Sequence, residues 1–168
     1  MIETTIAGLS LRLATKNDVP QILSFIQALA EYEKLAHQVV ATEDKLTATL
    51  FGDKAFAEVV IADYQGVPAG FALFFHNYST FLAKPGIYLE DLFVDPKLRG
   101  KGIGKALITY LAKLAVERDC GRLEWSVLDW NQPAIDFYQS LGATMLDDWR
   151  INRVTGPTLV AMAQQFPG

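Results

Sequence analysis

Tyr88-Leu-Glu-Asp-Leu-Phe-Val-Asp-Pro-Lys-Leu-Arg-Gly-Lys-Gly-Ile-Gly104 holds a strand, a break and the start of a helix in one stretch. Ile87 to Val94 is rich in aromatic and β-branched residues, and Asp95-Pro96 ends the strand. Beyond the glycines, Ile103, Leu107, Leu111, Leu114 and Ala115 recur at helical spacing and predict an amphipathic helix of about four turns. Arg99-Gly-Lys-Gly-Ile-Gly104 is therefore a glycine loop joining a strand to a helix. Glycines let the backbone approach a ligand closely, and the first N–H groups of a helix are orphan donors that suit phosphate oxygens. Lys97, Arg99, Lys101 and Lys105 add local positive charge. The loop reads as a diphosphate site, the other reading being a tight turn with solvated lysines.

Two common diphosphate loops fail here. A P-loop requires G-x-x-x-x-G-K-[ST], but the register set by Gly104-Lys105 puts Arg99 first and Ala106 last. A dinucleotide fingerprint beginning at Gly102 needs a small residue where the chain has Leu107. What remains is R-x-x-G-x-G, carried by Arg99, Gly102 and Gly104.

Outward from the loop, the pattern is that of a mixed α/β domain. Leu9 to Leu13 alternates as a half-buried strand. Asp18 and Pro20 signal a helix running to about Lys34, with Val19, Ile22, Leu23, Ile26, Leu29 and Ala30 inward. Thr42 caps a shorter helix that Gly52 closes. Glu58–Ala62 and Gly70–His76 form an antiparallel hairpin around Gln65-Gly66, with Asn77 to Gly86 a loop. Leu123, Trp125 and Val127 alternate on another strand, and Asn131 caps a helix through Ser140 with Gly142 beyond it. Thr158 to Met162 is expected to be a final strand. The expected architecture is a single domain over 1–168 with one main sheet.

Composition narrows the function classes. Of the 168 residues, 51% are hydrophobic and 20% charged, as in an ordinary globular chain. A net charge of −4 argues against nucleic acid as the primary ligand. The longest apolar stretch, Ala69 to Phe75, falls far short of the about 20 residues of a membrane span. One cysteine, Cys120, and two distant histidines, His37 and His76, offer no disulfide framework and no metal-ligand spacing. Glu3 and the threonines after it give no signal-peptide pattern, so the cytosol is the expected compartment.

R-x-x-G-x-G after a strand resembles the GNAT superfamily of acyl-CoA-dependent N-acetyltransferases, and the resemblance covers nearly the whole chain. It sharpens at three places. Tyr88 to Val94 looks like the central strand of the spermidine/spermine and thialysine acetyltransferases. Trp130-Asn-Gln-Pro-Ala-Ile-Asp-Phe-Tyr138 with Leu141-Gly-Ala143 is similar to their W-N-x-x-x-x-x-x-Y helix. Leu29-Ala-Glu-Tyr-Glu-Lys-Leu35 resembles the end of their first helix. Val127 to Gln132 leans towards the thialysine branch.

The resemblance implies a mostly antiparallel sheet flanked by helices, acetyl-CoA as cosubstrate, a homodimer, and acetyl transfer to a small primary amine without an acetyl-enzyme. It implies Tyr138 as general acid and Glu90 as base, with Leu92, Phe93 and Val94 holding the thioester and pantetheine. Coenzyme contacts are implied for Arg99, Gly100, Lys101, Gly102, Ile103, Gly104, Lys105, Asn131, Pro133 and Ala134. Tyr32, Glu33, Glu90, Asp129 and Trp149 are substrate-site candidates, with Asp147 and Asp148 as further acids. The chemistry asks for such groups, because a lysine-like amine of pKa near 10.4 is almost wholly protonated at neutral pH. Each role has a plainer counterpart. Tyr138 shares a face with Ala134 and Leu141 and could be a core tyrosine; Glu90 could anchor an ammonium or be an edge charge. Strand alternation sends Glu90 and Asp91 to opposite faces, so only one would enter a given cleft. Two other functions stay open: a protein N-terminal or lysine acetyltransferase of the same fold, and a non-catalytic acyl-CoA-binding sensor.

Overall fold

In the computed structural model, which describes residues 1–168, six strands follow one another across a single sheet in chain order. They are β1 (Ile2–Glu3), β2 (Leu9–Leu13), β3 (Glu58–Tyr64), β4 (Val67–Ser79), β5 (Lys84–Val94) and β6 (Leu123–Trp125). Every pairing up to β5 is antiparallel, and β5 with β6 is parallel. The helices are α1 (Val19–Tyr32), α2 (Glu43–Phe51), α3 (Ile103–Glu117), α4 (Gln132–Ser140) and α5 (Gly156–Ala163). Met1–Leu128 forms one compact unit, holding the whole sheet and α1 to α3; Asp129–Gly168 forms a second, holding α4 and α5.

Alternation along the strands sorts side chains onto two faces. Val59, Ile61, Phe71 and Phe93 meet Val19, Ile22 and Phe25 of α1 and Leu46 and Leu50 of α2. Phe25 anchors this layer, its ring 5.4 Å from Phe71 and 5.7 Å from Phe93. Val60, Ala72 and Phe74 are buried on the other face, the side to which α3 packs with Leu107 and Leu111 buried. Burying each such large side chain stabilises the fold by roughly 1.5–3 kcal/mol.

Polar closures fix both ends of the sheet. Arg12 bridges Asp18 and Asp63, joining β2, the turn before α1 and β3. Arg118, just past α3, grips both carboxylate oxygens of Glu58 at 2.7 and 2.9 Å and donates to His76 Nε2. His76 Nδ1 then donates to the Gly86 carbonyl.

The turn at Gln65-Gly66 is as expected. Both residues have positive φ, 52° and 79°, the two-residue geometry that matches strand twist. Elsewhere the structure departs from the sequence reading. Asn77 to Gly86 is not a loop: it continues the ladder, Asn77 facing Gly86 and Ser79 facing Lys84, leaving a turn of only 80–83. Val127 lies outside β6, which stops at Trp125. Thr158–Met162 is not a strand but part of α5. Pro157 sits in the first turn with φ suited to a helix, and the N–H of Leu159 and of Gln164 reach back four residues to Thr155 and Val160.

Candidate active site

The glycine loop is built by what precedes α3. Val94 ends β5, Asp95 accepts the Lys97 N–H at 2.9 Å, and Pro96–Leu98 makes one tight turn. Gly102 is then the N-cap of α3 with φ 82°, a left-handed conformation that L side chains adopt only at a cost. No side chain caps α3 and no acid stands in its first turn, as in α1 and α5, while α2 is capped by Thr42 and α4 by Asn131. Its leading N–H groups have no side-chain cap and stand at the end of a loop carrying Lys97, Arg99, Lys101 and Lys105, a setting that suits an anion. At Gly100 a side chain would meet open space, so the loop presents bare backbone outward. Ile103 is buried, and of this residue only the backbone can serve a ligand.

Above the loop, β5 loses its outer partner. β6 pairs only with Ile87, Tyr88 and Leu89, so no strand pairs with Glu90–Val94 on that edge. Their outward N–H and C=O groups can hold an extended amide chain. Phe93 contributes backbone alone, since its ring belongs to the core under α1.

At Glu90 the ladder with β4 skips a residue: Phe74 faces Leu89, but Leu73 faces Asp91. This bulge interrupts the strict alternation along β5. Leu89 and Asp91 fall on opposite faces, because their partners Phe74 and Leu73 do, and the exposed Glu90 is the unpaired extra residue between them. Asp91 thereby lands on the α1 face, where burial raises its carboxyl to about 6, with repulsion from Glu90 and from Glu33 adding to the rise. The sequence reading counts Asp91 among the clustered acids with Glu31, Glu33 and Glu90 but gives it no individual role. Glu33, half-buried, is itself raised by burial.

The end of α1 supplies Glu33 and Tyr32 together. Lys34 takes a left-handed φ of 62°, while the Leu35 N–H reaches Ala30 O at 2.8 Å and the Lys34 N–H reaches Glu31 O at 3.1 Å. This closure usually employs glycine; a lysine there costs about 1–2 kcal/mol, and the turn is held rigid by its two hydrogen bonds. Tyr32 lies with its ring 4.9 Å from the Arg99 guanidinium, joining the end of α1 to the glycine loop. On the loop's other side the Lys101 ammonium lies 5.5 Å from the Tyr64 ring, and Ile6 stands against Gly102. Among the residues expected at the site, Tyr32, Glu33, Glu90 and the loop from Arg99 to Lys105 are thus brought into one neighbourhood within Met1–Leu128.

The remaining candidates lie in Asp129–Gly168. Asn131 is buried, and its side chain accepts the Ala134 N–H at 3.4 Å, capping α4 with Pro133 in the first turn. Tyr138, half-buried two turns along, has its ring 5.4 Å from that of Phe137. Asp129 and Trp149 are exposed, the latter by 80%.

Residues 24–143 match the Acetyltransferase (GNAT) family. The chain is 37% identical to the L-ornithine N5-acetyltransferase of Arabidopsis thaliana, over 90% of this chain and 86% of that protein. It is likewise 37% identical to the thialysine N-epsilon-acetyltransferase of Bos taurus, over 94% and 98% respectively. Among solved structures, an integron cassette protein from V. cholerae superposes with a TM-score of 0.79 at 26% identity, covering 94% of this chain and 98% of that one. The uncapped glycine turn, the half-bare central strand and these similarities agree: the chain is an enzyme of the GNAT acetyltransferase family.

Proposed function

We propose that this acetyltransferase moves the acetyl group of acetyl-CoA directly to a primary amine of a small cationic substrate, such as thialysine, another lysine analogue or a polyamine. The observation that carries the substrate class is the convergence of Glu33, Glu90 and Asp91 next to the glycine loop. Three carboxylates in one place are costly unless a cation neutralises them, and a compact di-cation is the size that they fit. The names of the ornithine and thialysine relatives support the same class.

The α3 N-terminus with Gly100, Gly102 and Gly104 suits a diphosphate, with Arg99, Lys101 and Lys105 around it. Leu92 to Val94 offer backbone groups to the pantetheine arm. Bound there, acetyl-CoA supplies a thioester carbonyl as the electrophile. Glu90 takes the proton from the substrate ammonium through a water, because the free amine is the nucleophile. Glu33 and Asp91 hold the second positive charge of the substrate. Tyr138 donates its phenolic proton to the leaving thiolate, and Asn131, Pro133 and Ala134 set the helix that carries it and meet the coenzyme. Asp129 and Trp149 complete the amine side. No acetyl-enzyme is required, since no cysteine lies in this constellation.

The reading includes a single acetyltransferase domain over 1–168, acting in the cytoplasm as a homodimer. No helix is long and apolar enough to cross a membrane. Trp149, Ile151, Val160, Met162 and Phe166 are each more than half exposed, an apolar surface that a second copy would cover. The test is a turnover screen of about a dozen amines with acetyl-CoA, followed by thiol release. Thialysine or a diamine should be turned over well and a basic histone-tail peptide poorly. The reverse ranking favours a protein acetyltransferase, and binding without turnover of any amine favours an acyl-CoA sensor.

A further inference from the structure

We propose that Tyr88 is a positioning residue for the coenzyme, its hydroxyl holding Ser126 so that the open edge of β5 keeps the gap that an extended amide chain needs. The inference rests on the reading of Glu90–Val94 as the pantetheine edge and of the glycine loop as the diphosphate site, and names the side chain that sets the first.

β6 runs beside β5 for three residues and then stops. Its entry is fixed by backbone bonds: the Gly121 N–H reaches Pro85 O and the Ile87 N–H reaches Arg122 O, both at 2.9 Å. Its middle is held by β4, where Asn77 Nδ2 donates to Glu124 Oε1 at 3.2 Å. Its exit is held by Tyr88, whose hydroxyl shares a hydrogen bond with Ser126 Oγ at 2.7 Å. Tyr88 pairs with Glu124, so this bond runs diagonally from the ladder to the first residue beyond it. The ring that carries the hydroxyl is itself placed, lying against Phe75 across the β4–β5 ladder with centroids 5.3 Å apart. Three rungs of parallel pairing are a short run, and none of the three residues of β6 is fully buried, so the side-chain ties at Glu124 and Ser126 carry weight. In this register Ser126 would next meet Glu90, the point at which the edge opens. Freed of Tyr88, Ser126 can move over that edge or away from it, and a ligand must then restore the gap before it pairs with Glu90–Val94. The phenol sets the gap in advance, which is preorganisation of a binding edge.

The test is calorimetric titration with coenzyme A and, separately, with ADP, which has the diphosphate and no pantetheine arm. Tyr88→Phe keeps the ring beside Phe75 and loses the hydroxyl. Its affinity for coenzyme A should fall about two- to tenfold, the range that one net hydrogen bond accounts for, while its affinity for ADP stays unchanged. Ser126→Ala should show the same split between the two ligands. The double variant should lose no more than either single one, and Ser126→Thr, which keeps a hydroxyl, should stay near the wild type. A tyrosine that merely stabilises the fold behaves differently, lowering Tm while leaving the ratio of the two affinities intact. Unchanged coenzyme A affinity in folded Tyr88→Phe, an equal weakening of ADP, or losses that add in the double variant would each overturn the proposal and leave the functional reading standing. A wild type that binds coenzyme A no better than ADP overturns the reading of the β5 edge, and one that binds neither overturns the glycine loop; the proposal falls with either.

Discussion

Replacing Asp91 by asparagine should stabilise the free enzyme while impairing it. The carboxyl is raised from an ordinary 3.8 to about 6, chiefly by burial and further by Glu90 and Glu33. A raised acid is bound more tightly to its proton in the folded state. The native fold therefore has full stability below about pH 4 and loses part of it as pH rises through 6, reaching about 3 kcal/mol when Asp91 is fully ionised. Water reaching the half-buried group reduces this, so a gain of about 1–3 kcal/mol is expected for Asp91→Asn at pH 8. For a chain of this length each kcal/mol raises Tm by about 2–4 °C. The assay is urea unfolding of both proteins without ligand at several pH values from 4 to 8. Their stabilities should coincide near or below pH 4, diverge in favour of the variant between about pH 4 and 6, and keep a nearly constant gap above about pH 7. In the same preparations the KM for thialysine should rise, because a charge that faces the substrate ammonium is gone. A wild type more stable than the variant at pH 8, or a gap independent of pH, would refute the account of Asp91 as a repelled, buried carboxylate.

Two other substitutions separate chemistry from packing. Tyr138→Phe should lower kcat by at least about tenfold, within the range of general acid catalysis, while Tm and the KM for acetyl-CoA change little; full kcat in the folded variant removes Tyr138 as the acid. Gly102→Glu should abolish most acetyl-CoA affinity in calorimetry, whereas Gly102→Ala, sharing the strained φ of 82° and the 3.0 Å approach to Ile6 but not the charge, should lose less; wild-type affinity in a folded Gly102→Glu protein rejects the glycine-loop assignment.

The strand, glycine turn and helix around Tyr88–Glu117 were legible because each depends on neighbours in sequence: β-rich residues, an Asp-Pro break, then a 3.6-residue period. Gln65-Gly66 was legible for the same reason. The bulge at Glu90 was not, because it is a property of pairing between two strands and appears in neither strand alone. The sequence grouped Asp91 with Glu31, Glu33 and Glu90, but its burial on the α1 face follows from the bulge and could not be read from the strand alone. Glu33 could be found from its place at a helix end, but the contact of Tyr32 with Arg99 joins residues far apart in the chain. Thr158–Met162 shows the ambiguity of a five-residue apolar run, which fits strand and helix equally until the proline before it is given weight.

The unpaired outer edge of β5 carries a consequence for the behaviour of the protein in a crowded solution. The outward-facing N–H and C=O groups along Glu90–Val94, which no strand pairs, are a template on which a foreign strand could grow, the usual route from a folded sheet to aggregation. Glu90 and Asp91 occupy that edge at the bulge, and a bulge breaks the flat register that an added strand needs. Two carboxylates there also repel a second copy of the same edge laid alongside. The acids that suit a cationic substrate thus double as guardians of solubility, and a variant stripped of both charges would leave the sheet open to its own kind.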